Sequence, residues 1–346
     1  MKLVNQQLIK NTNLKLLYNS VFKNRGISRA ALARQTGLSR TAVSALIDEL
    51  SDRGFLFDSG TGDSSGAGRK PTCLELCAGN YFVAVFGWEE SSVHAFLIDI
   101  CGTTSMQMRL DKAPSDSYSQ ICRTFLMDQI LEQIRPEQLL GLCFVLPAMI
   151  DPEKEEVFST TFSLAGDQGE AGVIPCLRSL FPDYAVAVLN DTACCAYAEK
   201  IYTGIREKDY AFIRFSRGIG ASLFIQDKLL GQACASYTQF GHFSISPEGP
   251  PCPCGSRGCL EVVLSESTLK GRLQAKGTAS SLLSMDTVRY EDLGRAALYG
   301  DTAAVQVIRD LAGEFSFALS NLICLVHPRL IAVSYTHLTL PTTPYV

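Results

Sequence analysis

Residues that commonly bind metals lie close together in one loop of the sequence. Within eighteen residues, the stretch GHFSISPEGPPCPCGSRGCLE holds His242, Cys252, Cys254 and Cys259. Imidazole nitrogen and thiolate sulfur are the ligands that tetrahedral zinc prefers. The prolines and glycines make this loop irregular, and it has little apolar content with which to pack. The residues by themselves leave two interpretations open, a metal site and a loop that carries free thiols.

A second pattern, near the N-terminus, is typical of DNA binding. Apolar positions in residues 8–22 have helical spacing, and Ser28 and Ser39 stand where helix caps are expected, on either side of Gly37. Two helices joined by a short glycine-containing turn predict a helix-turn-helix motif. The second helix of that motif enters the major groove, and its N-terminal residues contact base edges. The resulting candidates for DNA contact are Ser39, Arg40, Thr41 and Ser44.

The charge distribution agrees with a DNA-binding head. FLFDSG and PTCLELC predict the two strands of a wing, whose tip carries Arg69 and Lys70 for phosphate or minor-groove contact. Residues 1–80 hold 11 of the 31 basic residues and 6 of the 35 acidic ones, so the head is basic and the remainder acidic. The alternative is a three-helix packing module that binds no nucleic acid.

The remainder of the chain predicts a separate α/β body. From Tyr81 onward, strand patterns such as YFVAVFGW and YAFIRFS alternate with helical stretches such as 117–134, which favours a mixed sheet. We therefore predict a winged helix-turn-helix domain over 1–78 and a body over 79–333. The N-terminus lacks the apolar region of a signal peptide, and the longest apolar run has 12 residues. These features predict a soluble cytoplasmic protein without membrane contact.

Three motifs in the body resemble the ROK family, which groups bacterial repressors, open reading frames and sugar kinases. GLCFVLPAMID resembles a family strand ending in P-G-x-V-D, and VLNDTACCAYAE resembles N-D-A-x-x-A-A-x-x-E. QFGHFSISPEGPPCPCGSRGCLE resembles E-x-G-H followed by C-x-C-G-x-x-G-C-x-E. The resemblance covers about residues 5–333 and, with the head, points to the repressor branch. It implies an actin-like (ribonuclease H-like) sugar-kinase body of two lobes.

The same resemblance implies two ligand sites. It implies one structural zinc ion per chain, held by His242, Cys252, Cys254 and Cys259, with no open position for catalysis. It also implies sugar contacts from Asn190, Asp191, His242 and Glu261. Gln239 stands where the family has glutamate, and its amide can still bond a sugar hydroxyl. Asn190 and Asp191 also suit a helix cap, and the two roles are compatible.

The two phosphate-binding loops of the family's kinases are degraded in this chain. At Gly87–Ser91 the sequence GWEES replaces D-x-G-G-T, and at Ser216–Ser222 the sequence SRGIGAS replaces G-T-G-x-G-G-G. Glu89 and Glu90 would repel a polyphosphate, and an arginine replaces threonine in the second loop. We therefore predict that the protein is not an enzyme and that Asp191 is a vestigial general base. The alternative is an ATP-dependent sugar kinase that carries a DNA-binding head.

Together these features predict a sugar-responsive transcriptional regulator of carbohydrate genes, with repression as the expected sign. Its expected partners are a double-stranded operator, a sugar or sugar-phosphate effector, and further copies of itself in a homodimer or homotetramer. Effector binding would close or rotate the two lobes and change the spacing of the recognition helices. A constitutive DNA-binding protein with an inactive pocket is a third interpretation, favoured only by Gln239.

The end of the chain departs from the resemblance. Residues 334–346, SYTHLTLPTTPYV, contain no Lys, Arg, Asp or Glu. This segment resembles a translated sequencing adapter, and the family continues with further strands and a helix. We expect 334–346 not to be native and the last elements of the body to be missing.

Overall fold

The computed structural model describes residues 6–61, 72–151, 153–158, 164, 166–167, 172–216, 218–231, 238–277 and 280–335. The chain forms two compact units. The first comprises 1–145, 166–171 and 175–188, and the second comprises 146–165, 172–174 and 189–346. No helix in the described segments combines the length and the apolar character needed to cross a membrane.

The N-terminal part of the first unit is a winged helix. Its elements are α1 (Gln6–Lys23), β1 (Ile27–Ser28), α2 (Arg29–Thr36), α3 (Arg40–Asp52), β2 (Leu56–Thr61) and β3 (Thr72–Leu76). The strands form an antiparallel sheet in the order β1-β3-β2. The helices bury the apolar side chains of Leu17, Val21, Leu32, Val43 and Ile47. The predicted helices and wing strands are confirmed, whereas Arg69 and Lys70 at the wing tip lie outside the described residues.

The predicted caps account for the boundaries of the two motif helices. The Ser28 hydroxyl accepts a hydrogen bond from the Ala31 N–H at 3.3 Å, and the Ser39 hydroxyl accepts one from the Ala42 N–H at 3.2 Å. Gly37 ends α2 with φ of 73°, a left-handed conformation that glycine adopts without steric cost. The turn between α2 and α3 is therefore encoded locally by these residues.

The body elements are, in chain order, β4 (Phe82–Glu89), β5 (Ser92–Asp99), β6 (Thr104–Asp111), α4 (Tyr118–Phe125), α5 (Leu131–Gln133), β7 (Leu139–Leu146), β8 (Met149–Asp151), β9 (Glu156–Phe158), α6 (Val173–Leu180), β10 (Val186–Asn190), α7 (Asp191–Tyr202), β11 (Tyr210–Phe215), β12 (Ile219–Ile225), β13 (Lys228–Leu229), α8 (Leu260–Val263), α9 (Leu269–Ala275), α10 (Tyr290–Leu298), α11 (Thr302–Val326) and β14 (Leu330–Tyr335). A π-helical turn, Leu126–Ile130, joins α4 to α5 within the predicted helical stretch 117–134.

Both larger sheets are mixed, as the sequence predicts. One has five strands in the order β10-β7-β4-β5-β6, with β4 parallel to β7 and antiparallel to β5. The other has four strands in the order β13-β12-β11-β14, with β11 parallel to β14 and antiparallel to β12. Phe86 of β4 stacks on Phe144 of β7 with a centroid separation of 5.5 Å, and Trp88 of β4 stacks on Tyr118 of α4 at 4.8 Å.

The four-stranded sheet of the second unit is buried on both faces. Ala211 and Ile213 of β11 pack with α8, α9 and α11, whereas Tyr210 and Phe212 pack with α7. This alternation follows from the pleat, which sends successive side chains of a strand to opposite faces. The strand β14 extends to Tyr335, two residues into the segment 334–346. Residues 336–346 lie outside the described residues, so the prediction about the tail stays a prediction.

Within the first unit, the winged helix is joined to the strands that follow it by direct contacts. The Tyr18 hydroxyl donates to the Ile100 carbonyl at 2.7 Å, and the Tyr81 hydroxyl donates to the Arg53 carbonyl at 2.7 Å. The ring of Phe55 stacks on that of Tyr81 with a centroid separation of 4.6 Å. Burial raises the pKa of Tyr18 to about 12. These contacts hold the winged helix against β4 and the β5–β6 turn.

Candidate DNA-binding, sugar-binding and metal-binding sites

The N-terminal turn of α3 presents polar side chains to solvent. Ser39, Arg40 and Thr41 are exposed, and Ser44 is half-buried one turn further along. The opposite face of the helix buries Val43, Ile47 and Leu50 in the head core. A helix held by one apolar face and polar at its free N-terminal end can present side chains to the major groove.

Sequence reasoning missed the residue that fixes the position of α3. Arg29, the first residue of α2, forms ion pairs with Asp48 of α3 at 2.5 Å and with Asp58 of β2 at 3.2 Å. A guanidinium that bridges two carboxylates in this way joins the two motif helices to the wing. Its sequence signal was weak because Asp48 and Asp58 lie 19 and 29 residues away.

The structure brings the four predicted metal ligands together. The ligand atoms of His242, Cys252, Cys254 and Cys259 all lie within 4.8 Å of one another. Nδ1 of His242 is 3.4 Å from Sγ of Cys252, and Sγ of Cys254 is 3.6 Å from Sγ of Cys259. Zinc–sulfur bonds of about 2.3 Å and zinc–nitrogen bonds of about 2.0 Å in a tetrahedron require ligand separations close to these. The donor set and its geometry therefore fit a four-coordinate metal ion.

Backbone hydrogen bonds fold the loop around these ligands. The Cys252 N–H donates to the Ser256 carbonyl at 2.8 Å, and the Gly255 N–H donates to the Cys252 carbonyl at 2.9 Å. Gly255 adopts φ of 90°, which a residue with a side chain rarely tolerates. Burial raises the pKa of Cys259 to about 12, whereas a backbone hydrogen bond from Ser256 lowers the pKa of the exposed Cys254. A bound cation would favour the thiolate form of all three cysteines.

Asn190 and Asp191 begin α7, and their polar atoms are already engaged. Oδ1 of Asn190 accepts the Ala193 N–H at 2.9 Å as the helix cap, while its Nδ2 donates to the Ala148 carbonyl at 3.0 Å. Oδ1 of Asp191 accepts the Thr192 N–H at 2.6 Å, and Oδ2 forms an ion pair with Arg214. The helix-cap role considered for Asn190 is thus present in the structure.

Glu261 lies beside the start of β12. Its Oε2 accepts the Ile219 N–H at 2.9 Å. A Cβ atom on Gly218 would lie 2.6 Å from the same oxygen, and one on Gly241 would lie 3.3 Å from it. A side chain at Gly218 would displace the mobile end of Glu261, whereas one at Gly241 would also overlap the backbone carbonyl oxygen of Ile219, so the packing requires glycine at 241. On its other side, Gly220 packs directly against Thr192, so the start of β12 lies between α7 and Glu261.

The other two predicted sugar contacts line a neighbouring cavity. Gln239 precedes the short 3₁₀ turn at Phe240–His242, and His242 ends it. Both border a cavity of about 310 Å³ together with residues of α11. Asn190, Asp191 and Glu261 do not line that cavity. The link between the two groups is Gly241, which packs against Ile219 and Glu261. The structure thus places the five predicted sugar contacts in two adjoining groups.

The residues predicted to replace the kinase phosphate loops lie in or before strands of the structure, and their replacement of those loops stays a prediction. Gly87 and Glu89 belong to β4, and Oε2 of Glu89 lies 3.3 Å from Nε2 of His94 and 3.1 Å from the Ser92 hydroxyl. The segment Ser216–Ser222 leads into β12, and its Arg217 lies outside the described residues. The Glu89 side chain is 57% exposed, so its negative charge faces solvent.

Comparison with known families decides the identity of the fold. A profile described as "ROK family" matches residues 91–335, and one described as "Winged helix-turn-helix DNA-binding" matches residues 10–56. The chain belongs to the ROK family. Its body is the actin-like sugar-kinase fold that the sequence motifs implied, preceded by a winged helix-turn-helix head.

Relatives in the ROK family include regulators and kinases. The chain is 27% identical over 337 residues to the xylose repressor of Bacillus subtilis (strain 168), covering 95% of this chain and 83% of that protein. A crystal structure of a ROK family transcriptional regulator, a homolog of the E. coli MLC protein, superposes with a TM-score of 0.76 at 22% identity and covers 94% of this chain and 83% of that one. A ROK family glucokinase from Streptomyces griseus, in complex with glucose and AMPPNP, gives a TM-score of 0.60 at 20% identity, with 73% and 83% covered.

Proposed function

We propose that this protein is a sugar-responsive, DNA-binding transcriptional repressor of carbohydrate genes. The observation that carries the proposal is the winged helix with a polar, exposed N-terminal turn on α3. The similarity over nearly the whole chain to a protein named xylose repressor supports both the DNA target and a sugar as the effector class. Its DNA partner would place the protein in the cytoplasm, as a homodimer or homotetramer on a repeated operator.

In this proposal Ser39, Arg40, Thr41 and Ser44 contact the operator. Arg40 can donate two parallel hydrogen bonds to a guanine, which is the commonest specific contact in the major groove. Ser39 and Thr41 can donate to phosphate oxygens and fix the register of the helix. Arg69 and Lys70 of the wing tip would add phosphate or minor-groove contacts.

The effector site is proposed at Asn190, Asp191, Gln239, His242 and Glu261. These side chains offer amide, carboxylate and imidazole groups, which can bond sugar hydroxyls and discriminate against ligands lacking them. The packing of Gly218, Gly220 and Gly241 around Glu261 and Thr192 supports a pre-organised site. His242 belongs to the candidate metal cluster and also lines the cavity at Gln239. This double position supports a role for the metal loop, residues 242–259, in shaping the pocket.

The metal is proposed to be one structural zinc ion per chain, bound by His242, Cys252, Cys254 and Cys259. Zinc would cross-link a loop that has few apolar side chains of its own. With four protein ligands, the ion has no open position for a substrate.

A sugar kinase is the second candidate, because the glucokinase named above shares the fold. Two observations favour the regulator. Glu89 and Glu90 bring negative charge to the position of the first phosphate loop, which opposes polyphosphate binding. Both oxygens of Asp191 already accept hydrogen bonds within the protein, and a proton taken from a sugar hydroxyl would have to compete with the Arg214 ion pair.

A gel-shift titration with the full chain and DNA from upstream of its own gene tests the proposal. At a stated salt concentration, we expect specific binding that one member of a panel of sugars and sugar phosphates releases. Arg40→Ala should weaken specific binding by about 1–3 kcal/mol, or roughly 5-fold to 150-fold. Arg206→Ala, which removes an exposed arginine of the second unit, is the matched control and should change nothing.

Three results would contradict parts of the proposal. Sugar-dependent ATP turnover without specific DNA binding would establish the kinase. Specific binding that no sugar alters would establish a constitutive DNA-binding protein or one controlled by a protein partner. Equal loss of binding in Arg40→Ala and Arg206→Ala would remove α3 as the reading helix.

A further inference from the structure

Arg214 is a charged residue in a strand whose other side chains are apolar. It belongs to β11, YAFIRF, and it follows Tyr210 and Phe212 on the face that packs against α7. Its side chain is 23% exposed, and it forms an ion pair with Asp191 at the first position of α7, which is 18% exposed. Charged side chains are rarely this buried unless they are paired.

The ion pair changes what Asp191 can offer to a ligand. Oδ2 is occupied by Arg214, and Oδ1 accepts both the Thr192 N–H at 2.6 Å and the Thr192 hydroxyl at 3.2 Å. Three of the roughly four acceptor sites of this carboxylate are therefore used within the protein, and its charge is balanced by the guanidinium. A neutral hydroxyl that approaches it meets fewer acceptor sites than a free aspartate provides, and a carboxylate whose charge is already paired.

Arg214, by contrast, has donors to spare. A guanidinium carries five N–H donors in a planar fork, and Nη1 serves the Asp191 carboxylate. Within the part of the chain that the structure describes, Nε is buried and has no hydrogen-bond partner. A buried donor without an acceptor is unfavourable. The side chain as a whole is 23% exposed, so an oxyanion would approach through the terminal nitrogens of the guanidinium.

The carboxylate of Glu261, another predicted sugar contact, does not compete for this fork. Oε2 of Glu261 is held by the Ile219 N–H at 2.9 Å, and no ion pair joins Glu261 to Arg214 among the described residues. Planar guanidinium groups bind carboxylates and phosphates through two parallel hydrogen bonds, which a neutral hydroxyl cannot accept in the same way. The spare donors thus match an anionic group better than a hydroxyl.

We propose that Arg214 is a specificity-determining residue that selects an effector carrying an oxyanion, a carboxylate or a phosphate, on a sugar. This inference rests on the proposed function, since it names the class of ligand for the same pocket. The Asp191 ion pair holds the guanidinium in place, and the anion takes the remaining donors. Sugar acids and sugar phosphates share this chemistry, and the experiment separates them.

The test measures ligand binding to the full chain by calorimetry and by thermal shift. The ligands are matched sets that differ at one carbon: glucose, glucuronate and glucose 6-phosphate, then galactose, galacturonate and galactose 6-phosphate, and N-acetylglucosamine with its 6-phosphate. Inorganic phosphate alone measures the effect of charge without a sugar. We expect one anionic sugar to bind at least about tenfold more tightly than its neutral parent, the effect of one charge-assisted hydrogen bond. Whether the carboxylate or the phosphate member binds best identifies the source of the oxyanion.

Two variants connect the preference to Arg214. Arg214→Gln should abolish it, but it also leaves Asp191 without its partner and could impair folding. The double variant Asp191→Asn/Arg214→Gln removes both charges with nearly unchanged shape, so it keeps the test interpretable. Arg206→Gln, which removes an exposed arginine, should retain the full preference for the anion.

The inference is overturned if no anionic sugar in the panel binds better than its neutral parent, or if the preference survives in the folded double variant. DNA titrations on the same samples separate this outcome from failure of the proposed function. Operator release by a neutral sugar would refute the role of Arg214 and leave the regulator intact. An Arg214-dependent preference for an anion, without any DNA binding, would refute the regulator and leave the inference about the pocket standing.

Discussion

Replacing Ser39 by aspartate should separate the stability of α3 from its affinity for DNA. The Ser39 hydroxyl caps α3 by accepting the Ala42 N–H at 3.2 Å, and the residue is exposed at the end of the helix that we assign to the major groove. Aspartate and asparagine cap helices about as well as serine. Aspartate also places negative charge at the positive end of the helix dipole, which favours the folded state.

Ser39→Asp is expected to change the free energies of folding and of DNA binding in opposite directions. Folding of Ser39→Asp should be unchanged or more stable by about 0.3–1 kcal/mol, whereas Ser39→Ala loses about 1 kcal/mol with its cap. In the complex, the new carboxylate would face DNA phosphates. Two like charges about 4 Å apart repel by about 1 kcal/mol in water and by about 4 kcal/mol at a protein surface. Ser39→Asp should therefore bind DNA at least about fivefold more weakly.

The assay is fluorescence anisotropy on labelled upstream DNA, with urea unfolding on the same preparations. Ser39→Asn is the matched control, because it keeps the cap and adds no charge. The difference between the aspartate and asparagine variants should shrink as salt is raised and the charges are screened. If the two variants bind DNA equally at low salt, the N-terminus of α3 does not lie against the phosphates and the assignment of the recognition helix is wrong.

Further predictions concern the metal loop, the glycine contact and the contacts between head and body. Cys259→Ser should reduce bound zinc below one ion per chain, measured by elemental analysis, and lower the unfolding temperature, measured by calorimetry. Cys324→Ser, at an exposed position, should change neither quantity. Gly241→Ala should destabilise the fold by about 1–3 kcal/mol in urea, because its Cβ would overlap the Ile219 carbonyl oxygen; Gly271→Ala in α9, with open space around it, should be neutral or stabilising. Tyr81→Phe should lower the free energy of unfolding by about 0.5–1.5 kcal/mol, because the hydrogen bond to the Arg53 carbonyl is lost. Melting curves followed by circular dichroism measure this change, and an unchanged stability would contradict the prediction. The pKa of Tyr18 is raised to about 12, so the folded state holds this proton more tightly than the unfolded state and stability should fall between about pH 10 and pH 12; Tyr18→Phe should flatten that part of the pH profile.

The elements of the head were predictable because their signals are local. Ser28, Gly37 and Ser39 act on backbone groups within four residues, so a cap or a turn can be read directly from the sequence. The cluster of four candidate metal ligands was also predictable, since three of the four are cysteines within eight residues of one another. The strand patterns of the body predicted mixed sheets for the same reason, because alternation is a property of neighbouring residues.

The contacts that were missed join residues distant in sequence. Arg214 and Asp191 are 23 residues apart, and Tyr18 lies 82 residues from Ile100. An arginine inside YAFIRF indicates that a partner is needed, but only the packing of α7 against β11 shows which carboxylate supplies it. The bonds of Asp191 to Thr192 and Arg214 likewise depend on how the start of α7 meets the sheet.

The contacts of Tyr18, Phe55 and Tyr81 bear on the transplantation of heads between repressors of this kind. A new operator specificity is commonly sought by exchanging a DNA-binding domain at its linker, as though the two parts were independent modules. Here a cut near residues 77–81 would separate Phe55 from Tyr81 and the Tyr18 hydroxyl from the Ile100 carbonyl. A grafted head would have to bring an aromatic ring and a hydroxyl to those two positions. Without them, the grafted head could still fold and recognise its own operator, yet it would lack the contacts that hold it against the strands that follow it.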